Sequence, residues 1–353
     1  VINVAILGAG IGKAHLDGYR KLPDRFRVST LCDLDKARAR AATDDDSSIS
    51  IVSSINDVMT DPDVELVDIC LPPHLHTSHV IQTLAAGKHV ICEKPLARSL
   101  AEIEQIRQAM ESSGCRVFPV FQYRYGLGLA QLSALQASGL TGRAMVASAE
   151  THWNRDGDYY AVPWRGTWQH ESGGAVLGHA IHMHDLICDI LGPVATLNAF
   201  TDTRVNKIET EDCAAIILRM TSGALVTSSV TLGSASDTSR LKICFENLSV
   251  ESGTAPYTPA EDIWTFTARG TTPQSDIDQV IESVPAPRAG FAGFLEATAD
   301  ALDNRGGREV TFVDGQRSIE FVTAVYLSAR RGGVPITLPI ERDHAVFQGW
   351  LPD

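Results

Sequence analysis

No stretch of the 353-residue chain is basic, none approaches the length of an apolar membrane span, and no cysteines stand at the close paired spacing of a zinc site. The missing basic run, with a formal net charge of −13 from 30 Lys and Arg against 43 Asp and Glu, argues against a nucleic-acid surface. Most of that acidity belongs to a solvated surface. The missing apolar run, with an N-terminus that enters a strand pattern without a basic region and signal stretch, leads to the expectation of a soluble, cytoplasmic protein with no membrane partner. The seven cysteines, Cys32, Cys70, Cys92, Cys115, Cys188, Cys213 and Cys244, are odd in number and scattered through mostly apolar strand patterns. They read as reduced core residues. No internal repeat or long low-complexity tract is present, and the TDDDSS run at 43–48 reads as a loop.

What is present is ordinary globular composition, 44% hydrophobic and 21% charged, at a length that suits two domains with sizeable cores. Strand patterns at 4–7, 28–32, 66–71, 89–92 and 117–121 alternate with helical patterns after Gly12, Asp35, His76 and Ser99. That alternation specifies an α/β fold with a doubly wound parallel sheet. Gly87 and Gly114 fall just past two of the helices, and ISIV near Ile51 adds an edge strand. From Gly126 the pattern changes, which places a boundary near Arg124 and divides the chain into 1–124 and 125–353. The second part reads as a helix to Ser138, then strands interrupted by a single buried helix between Gly174 and Leu191, with helical patterns at 290–303 and 315–330 closing it. Its segment ALVTSSVTL at 224–232 alternates as a half-exposed antiparallel strand does.

The first strand runs into VAILGAGIGKAH, where Gly8, Gly10, Ile11 and Gly12 make the bend into a helix. The first glycine permits a tight turn, the second lets the backbone approach a pyrophosphate, and the third lets helix and strand pack closely. The third glycine comes one residue earlier than in the usual dinucleotide fingerprint, and a glycine turn alone is a weak signal. Asp33 strengthens it, ending RVSTLCD at the distance where an acidic residue holds the adenosine ribose hydroxyls. A carboxylate there repels a 2′-phosphate, so NAD is expected ahead of NADP, although strand-end Asp residues also commonly open turns.

KHVICEKPL is more informative still. Glu93, Lys94 and Pro95 directly follow a short apolar strand, which puts the lysine amine at the carboxyl end of a parallel sheet, where open α/β sheets bind ligands. A lone Lys-Pro pair is more often a surface turn, but behind the glycine turn and Asp33 it is expected near the reactive end of the cofactor. Leu71, Pro72, His74 and His76 follow another strand end and are expected beside the same crevice, with His76 equally suited to a helix start.

A second constellation is WRGTWQHESGGAVLGHAIHMHDL, from Trp164 to Leu186. His179, His182 and Asp185 are spaced by three, so on a helix starting near Gly174 they would share one face. Nothing requires metal ligation by His179, His182 and His184, and no metal site is expected. A proton-handling histidine fits better with alcohol oxidation, in which the hydroxyl proton must leave as hydride departs from carbon. Any one of these histidines alone is more often a satisfied core residue. His152, Trp153, Arg155 and Tyr160 form a polar, aromatic loop that suits a carbohydrate, although such loops also occur without a ligand.

Taken in order, the glycine turn, PPHLH at 72–76, AAGKHVICEKPLA, FQYRY at 121–125 and the WRGTW to IHxxDL region resemble the glucose-fructose oxidoreductase, inositol dehydrogenase and rhizopine-catabolism (Gfo/Idh/MocA) family of NAD(P)-dependent oxidoreductases. The similarity covers nearly the whole chain. It implies an N-terminal Rossmann domain and a C-terminal α/β domain with a large, open, mostly antiparallel sheet that often forms the oligomer interface. A homo-oligomer, dimer or tetramer, is therefore expected. The resemblance further implies hydride transfer between a hydroxyl of a sugar, cyclitol or related polyol and nicotinamide, with Lys94 and His182 as the catalytic pair at the reacting oxygen and their two roles exchangeable. Trp164 and Arg165 match a pair near cofactor and substrate, and Trp153, Arg155, His179 and Asp185 complete the expected substrate contacts. The family commonly carries an aspartate four residues before its histidine, where this chain has Gly178. Either His179 substitutes or the Lys–His pair acts alone. That departure keeps open an NAD-binding regulator or inactive relative, behind the dehydrogenase and ahead of a metal enzyme.

Overall fold

The computed structural model describes residues 1–352. Its first 120 residues hold β1 (Ile2–Leu7), α1 (Gly12–Tyr19), β2 (Phe26–Cys32), α2 (Lys36–Ala42), β3 (Ser50–Val52), α3 (Ile55–Met59), β4 (Leu66–Ile69), α4 (Pro73–Ala85), β5 (His89–Cys92), α5 (Leu100–Ser113) and β6 (Val117–Pro119). The helix starts follow local chemistry: the Asp35 carboxylate accepts from the Ala37 and Arg38 amides to begin α2, and Ser99 Oγ accepts from Glu102 to begin α5. Every strand pair is parallel, in the order β3-β2-β1-β4-β5-β6. Strand order reverses between β1 and β4, which opens a crevice at their carboxyl ends. Gly8 is required there: its φ is +97°, and a Cβ on it would stand 2.5 Å from the Cys70 carbonyl oxygen.

The remaining elements are α6 (Leu127–Ala137), β7 (Ala144–Asn154), α7 (Trp168–Glu171), α8 (Ala175–Gly178), α9 (Ile181–Leu191), β8 (Val194–Asp202), β9 (Cys213–Met220), β10 (Leu225–Thr231), β11 (Gly233–Phe245), β12 (Leu248–Glu251), β13 (Thr265–Ala268), α10 (Gln274–Ser283), α11 (Gly290–Leu302), α12 (Phe312–Arg330) and β14 (Ile336–Thr337). They build an eight-stranded sheet, β13-β12-β11-β7-β10-β9-β8-β14, antiparallel except where β10 runs parallel to β7. β10 alternates as its sequence indicates, with Val226, Ser228 and Val230 buried and Leu225, Thr227 and Ser229 exposed.

Two compact units result among the described residues, 1–120 with 294–319, and 121–293 with the chain from 320 onward. The late helical patterns were expected to close the second part, yet most of α11 and the start of α12 belong to the first unit. Arg25 pairs with Asp300 at 2.9 Å, Arg116 donates to the Ala301 carbonyl at 2.5 Å, and the Arg107 guanidinium lies 5.1 Å from the Phe312 ring centre. Among the described residues no helix is long and apolar enough to cross a membrane.

Candidate active site

In the first unit, the glycine turn is shaped by what its neighbours allow. A Cβ on Gly12 would meet Ile6 at 2.9 Å, so the small residue lets α1 pack on β1, whereas a Cβ on Gly10 would meet nothing within 4 Å. Ile11, at the head of α1, is half exposed. Asp33 is buried at the end of β2, and its carboxylate accepts from the Ala9 amide at 2.7 Å, the Asp35 amide at 2.8 Å and Arg38 at 2.8 and 3.0 Å. Burial would raise its pKa, but Arg38 and the two amides more than offset that and hold it below the usual carboxylate value.

The loop after β5 is pinned on both sides of Lys94. Glu93 Oε2 accepts from the Lys94 amide at 3.0 Å while Oε1 meets His15 Nε2 at 3.0 Å. His15 Nδ1 in turn meets Asp68 at 2.9 Å and the Cys70 sulfur at 3.2 Å, and Tyr19 donates to Asp68 at 3.0 Å. Burial disfavours a charged His15 ring, but Asp68 and Cys70 outweigh it and hold the pKa well above 6.5. On the other side, His76 Nδ1 meets the Pro95 carbonyl and Nε2 the Leu71 carbonyl, each at 2.7 Å. His76 is thus fully buried with both ring nitrogens on backbone carbonyls, His74 is exposed in the first turn of α4 behind Pro72, and Lys94 is half-buried.

In the second unit the expected single helix is two. The Ala180 amide reaches back five residues to the Ala175 carbonyl at 2.9 Å, and His179 leaves helical geometry at φ −123°. His179 therefore does not share a helical face with His182 and Asp185. Its ring meets Trp153 edge-on, centroids 5.3 Å apart, and its Nε2 lies 3.4 Å from the Tyr159 hydroxyl. His182, on the first turn of α9, stacks on Tyr123 at 4.6 Å and meets Phe121 edge-on at 5.8 Å. Asp185 is gripped through both oxygens by Arg124, at 2.7 and 2.5 Å, and Asp189 holds the same guanidinium at 3.0 Å. His184 points elsewhere: its Nε2 meets Ser228 on β10, and burial lowers its pKa to about 3.

The expected loop at 152–160 begins as strand, with His152 and Trp153 at the end of β7, and around His179 Trp153 and the loop residues beyond it assemble into an aromatic and cationic wall. Trp153 donates to Ser239 and leans on Tyr257, and Arg155 lies over Trp153 while pairing with Asp237 at 2.9 Å and the Tyr257 hydroxyl at 2.6 Å. Arg165 lies 3.8 Å over the Tyr159 ring and 5.0 Å from the exposed Trp164. Sequence reading did not assign Tyr123, Tyr159, Tyr257, Arg38, Asp68 or His15. His15 and Tyr123 lie inside the motifs quoted for the resemblance; Tyr257 sits in a loop with no local signal.

Comparison with known proteins gives this geometry a family. Residues 2–121 match the oxidoreductase family with an NAD-binding Rossmann fold, and residues 129–251 match the GFO/IDH/MocA C-terminal domain. The chain belongs to the GFO/IDH/MocA oxidoreductases. Among relatives of this family, it is 29% identical over 212 residues to levoglucosan dehydrogenase from Pseudarthrobacter phenanthrenivorans, covering 57% of this chain and 54% of that protein. The chain thus spans about half the length of that relative. It is 26% identical over 235 residues to myo-inositol 2-dehydrogenase from Thermotoga maritima, covering 64% and 66% of the two chains. The WlbA dehydrogenase from Bordetella pertussis, solved with NADH and UDP-GlcNAcA, superposes with a TM-score of 0.83 at 28% identity over 96% of this chain and 99% of that one.

The residues of this GFO/IDH/MocA protein fit the NAD of its Rossmann domain. The open space at Gly10 leaves room beside the turn for a pyrophosphate against the first amides of α1. Asp33 stands at the end of β2 where ribose hydroxyls are held, with Arg38 across both of its oxygens.

Proposed function

We propose that the chain oxidises a hydroxyl of a sugar, cyclitol or related polyol, with Lys94 and His182 acting on the substrate oxygen and NAD preferred over NADP. The observation that carries this reading is the loop after β5, which sets Lys94 at the carboxyl edge of the Rossmann sheet with the backbone on both sides of it tied down. When bound, NAD supplies the hydride acceptor, C4 of its nicotinamide. His182 accepts the hydroxyl proton as the carbon–oxygen double bond forms, and Lys94 hydrogen-bonds the same oxygen and stabilises the charge that builds on it. Asp185, through Arg124, fixes the first turn of α9 and with it the His182 ring. Trp153, Tyr159, Arg155 and Arg165 offer ring faces and donors to a carbohydrate around His179.

The relatives favour a cyclic, hydroxyl-rich substrate, since their names specify levoglucosan and myo-inositol and one solved complex holds UDP-GlcNAcA. Gly178 is the one feature that supports the regulator instead. A Cβ there would meet nothing within 4 Å, so the family aspartate is absent without a steric cause. The test is a panel of levoglucosan, myo-inositol, other sugars and cyclitols, and UDP-GlcNAcA, followed by NADH absorbance. Turnover of one class supports the dehydrogenase; tight NAD binding with no turnover across the panel supports the regulator.

A further inference from the structure

Lys94 can act on a substrate oxygen only from one place, and the surrounding hydrogen-bond network holds its backbone there. We propose that His15 and His76 are positioning residues for Lys94, a two-histidine clamp in which His15 neutralises and orients Glu93 while His76 holds the Pro95 carbonyl. The proposal rests on the assignment of Lys94 in the proposed reaction.

On the amino side, the link is continuous. The Lys94 amide donates to Glu93 Oε2, and the other Glu93 oxygen faces His15 Nε2 at 3.0 Å. The His15 ring therefore stands between two carboxylates, Glu93 and Asp68, with the Cys70 sulfur also at its Nδ1 and Tyr19 donating to the same Asp68. Both carboxylates accept, so both ring nitrogens must donate, and the ring is an imidazolium. Glu93, one residue from the lysine, is thereby matched by a buried cation. On the carboxyl side, His76 lies between two backbone carbonyls, Leu71 in the loop after β4 and Pro95 after Lys94, and because burial lowers its pKa the neutral ring donates to one of them, assigned here to Pro95. Neither histidine needs to touch substrate to affect the reaction, because a displaced lysine loses its hydrogen bond to the reacting oxygen.

The experiment compares the full-length chain with His15→Gln, His76→Gln and Leu66→Ala, the last a cavity in β4 that lowers stability without touching the clamp. Acetylation of Lys94 by acetic anhydride is read by mass spectrometry across pH, with amide hydrogen exchange and NAD titration alongside. In His15→Gln the Glu93 charge loses the imidazolium facing it, which favours the lysine ammonium, so the midpoint pH of acetylation rises by about 1 unit, while Leu66→Ala leaves it in place. In His76→Gln, the amides of Lys94, Leu96 and Ala97 exchange several-fold faster relative to those of β1, the scale of one lost buried hydrogen bond, with NAD affinity little changed. An unmoved midpoint in His15→Gln, an equal shift in Leu66→Ala, or unchanged relative exchange in His76→Gln overturns the clamp. Normal turnover of Lys94→Ala on a panel substrate, with the His15→Gln shift present, would instead remove the catalytic assignment and leave the clamp standing.

Discussion

Both oxygens of Asp33 are engaged before any ribose arrives, by two amides and by the Arg38 guanidinium. Spacing made Asp33 legible in the sequence, because its distance from the glycines is set by a βαβ unit. Arg38 was not legible, since nothing local says that an exposed arginine on α2 folds back over the strand end. The pair has a consequence for cofactor choice. Arg38 partly cancels the charge that repels a 2′-phosphate, so Arg38→Ala should weaken NADP binding relative to NAD by about fivefold, the scale of one exposed ion pair. Titration of both cofactors checks this; unchanged or tighter NADP binding in the variant contradicts it. Unaltered protein should still prefer NAD, and comparable efficiency with both would count against Asp33 as the discriminator.

Among elements, the break between α8 and α9 shows where periodicity misleads. Three residues spaced by three suggested one helical face, but the five-residue back-bond at Ala180 turns His179 toward Trp153 and leaves His182 on the next helix. The head of α8 is held by a residue the sequence did not mark: Glu211 accepts from Gly174, Val176 and the Tyr326 hydroxyl. Burial pushes its pKa up to about 7, the hydrogen bonds pulling it back only partly. The fold therefore retains a proton that the unfolded chain has already lost, and stability from this group falls as pH rises from about 4.5 to about 7. Thermal melting of Glu211→Gln should show a flatter dependence than the native chain across that window, a difference on the order of 3 kcal/mol. Parallel curves would contradict it. His15 has the same sign: its raised pKa gives stability that is complete below about pH 6.5 and lost as pH climbs through the folded value.

At the scale of the molecule, the strand-helix alternation was readable and the assignment of chain to units was not. Chain order says nothing of where α11 and the start of α12 pack, which contacts distant in sequence such as Arg25–Asp300 and Arg116–Ala301 record. The exposed face of the second sheet is a further whole-molecule feature. In register across it lie Val146, Leu225 and Arg219, then Ser148, Thr227, Ile217 and Asn198, then Glu150, Ser229, Ala215 and Phe200. Ile217 and Phe200 are 60% and 62% exposed there, an apolar centre with polar surroundings. We expect this face to pair with another copy of the chain, so sedimentation at micromolar concentration should show an oligomer that Ile217→Glu converts to monomer. A native monomer, or an oligomer indifferent to Ile217→Glu, contradicts that assignment.

Lys94 and His182 are both proposed to act on the substrate hydroxyl. Steady-state turnover on a panel substrate, measured beside NAD titration for Lys94→Ala, His182→Ala and His179→Ala, tests it most directly. The expected result is a loss of about 10²-fold or more in turnover for Lys94→Ala and His182→Ala with NAD affinity little changed. Near-normal turnover in His182→Ala, with activity abolished in His179→Ala, would contradict the account and move the proton acceptor to the residue beside Gly178.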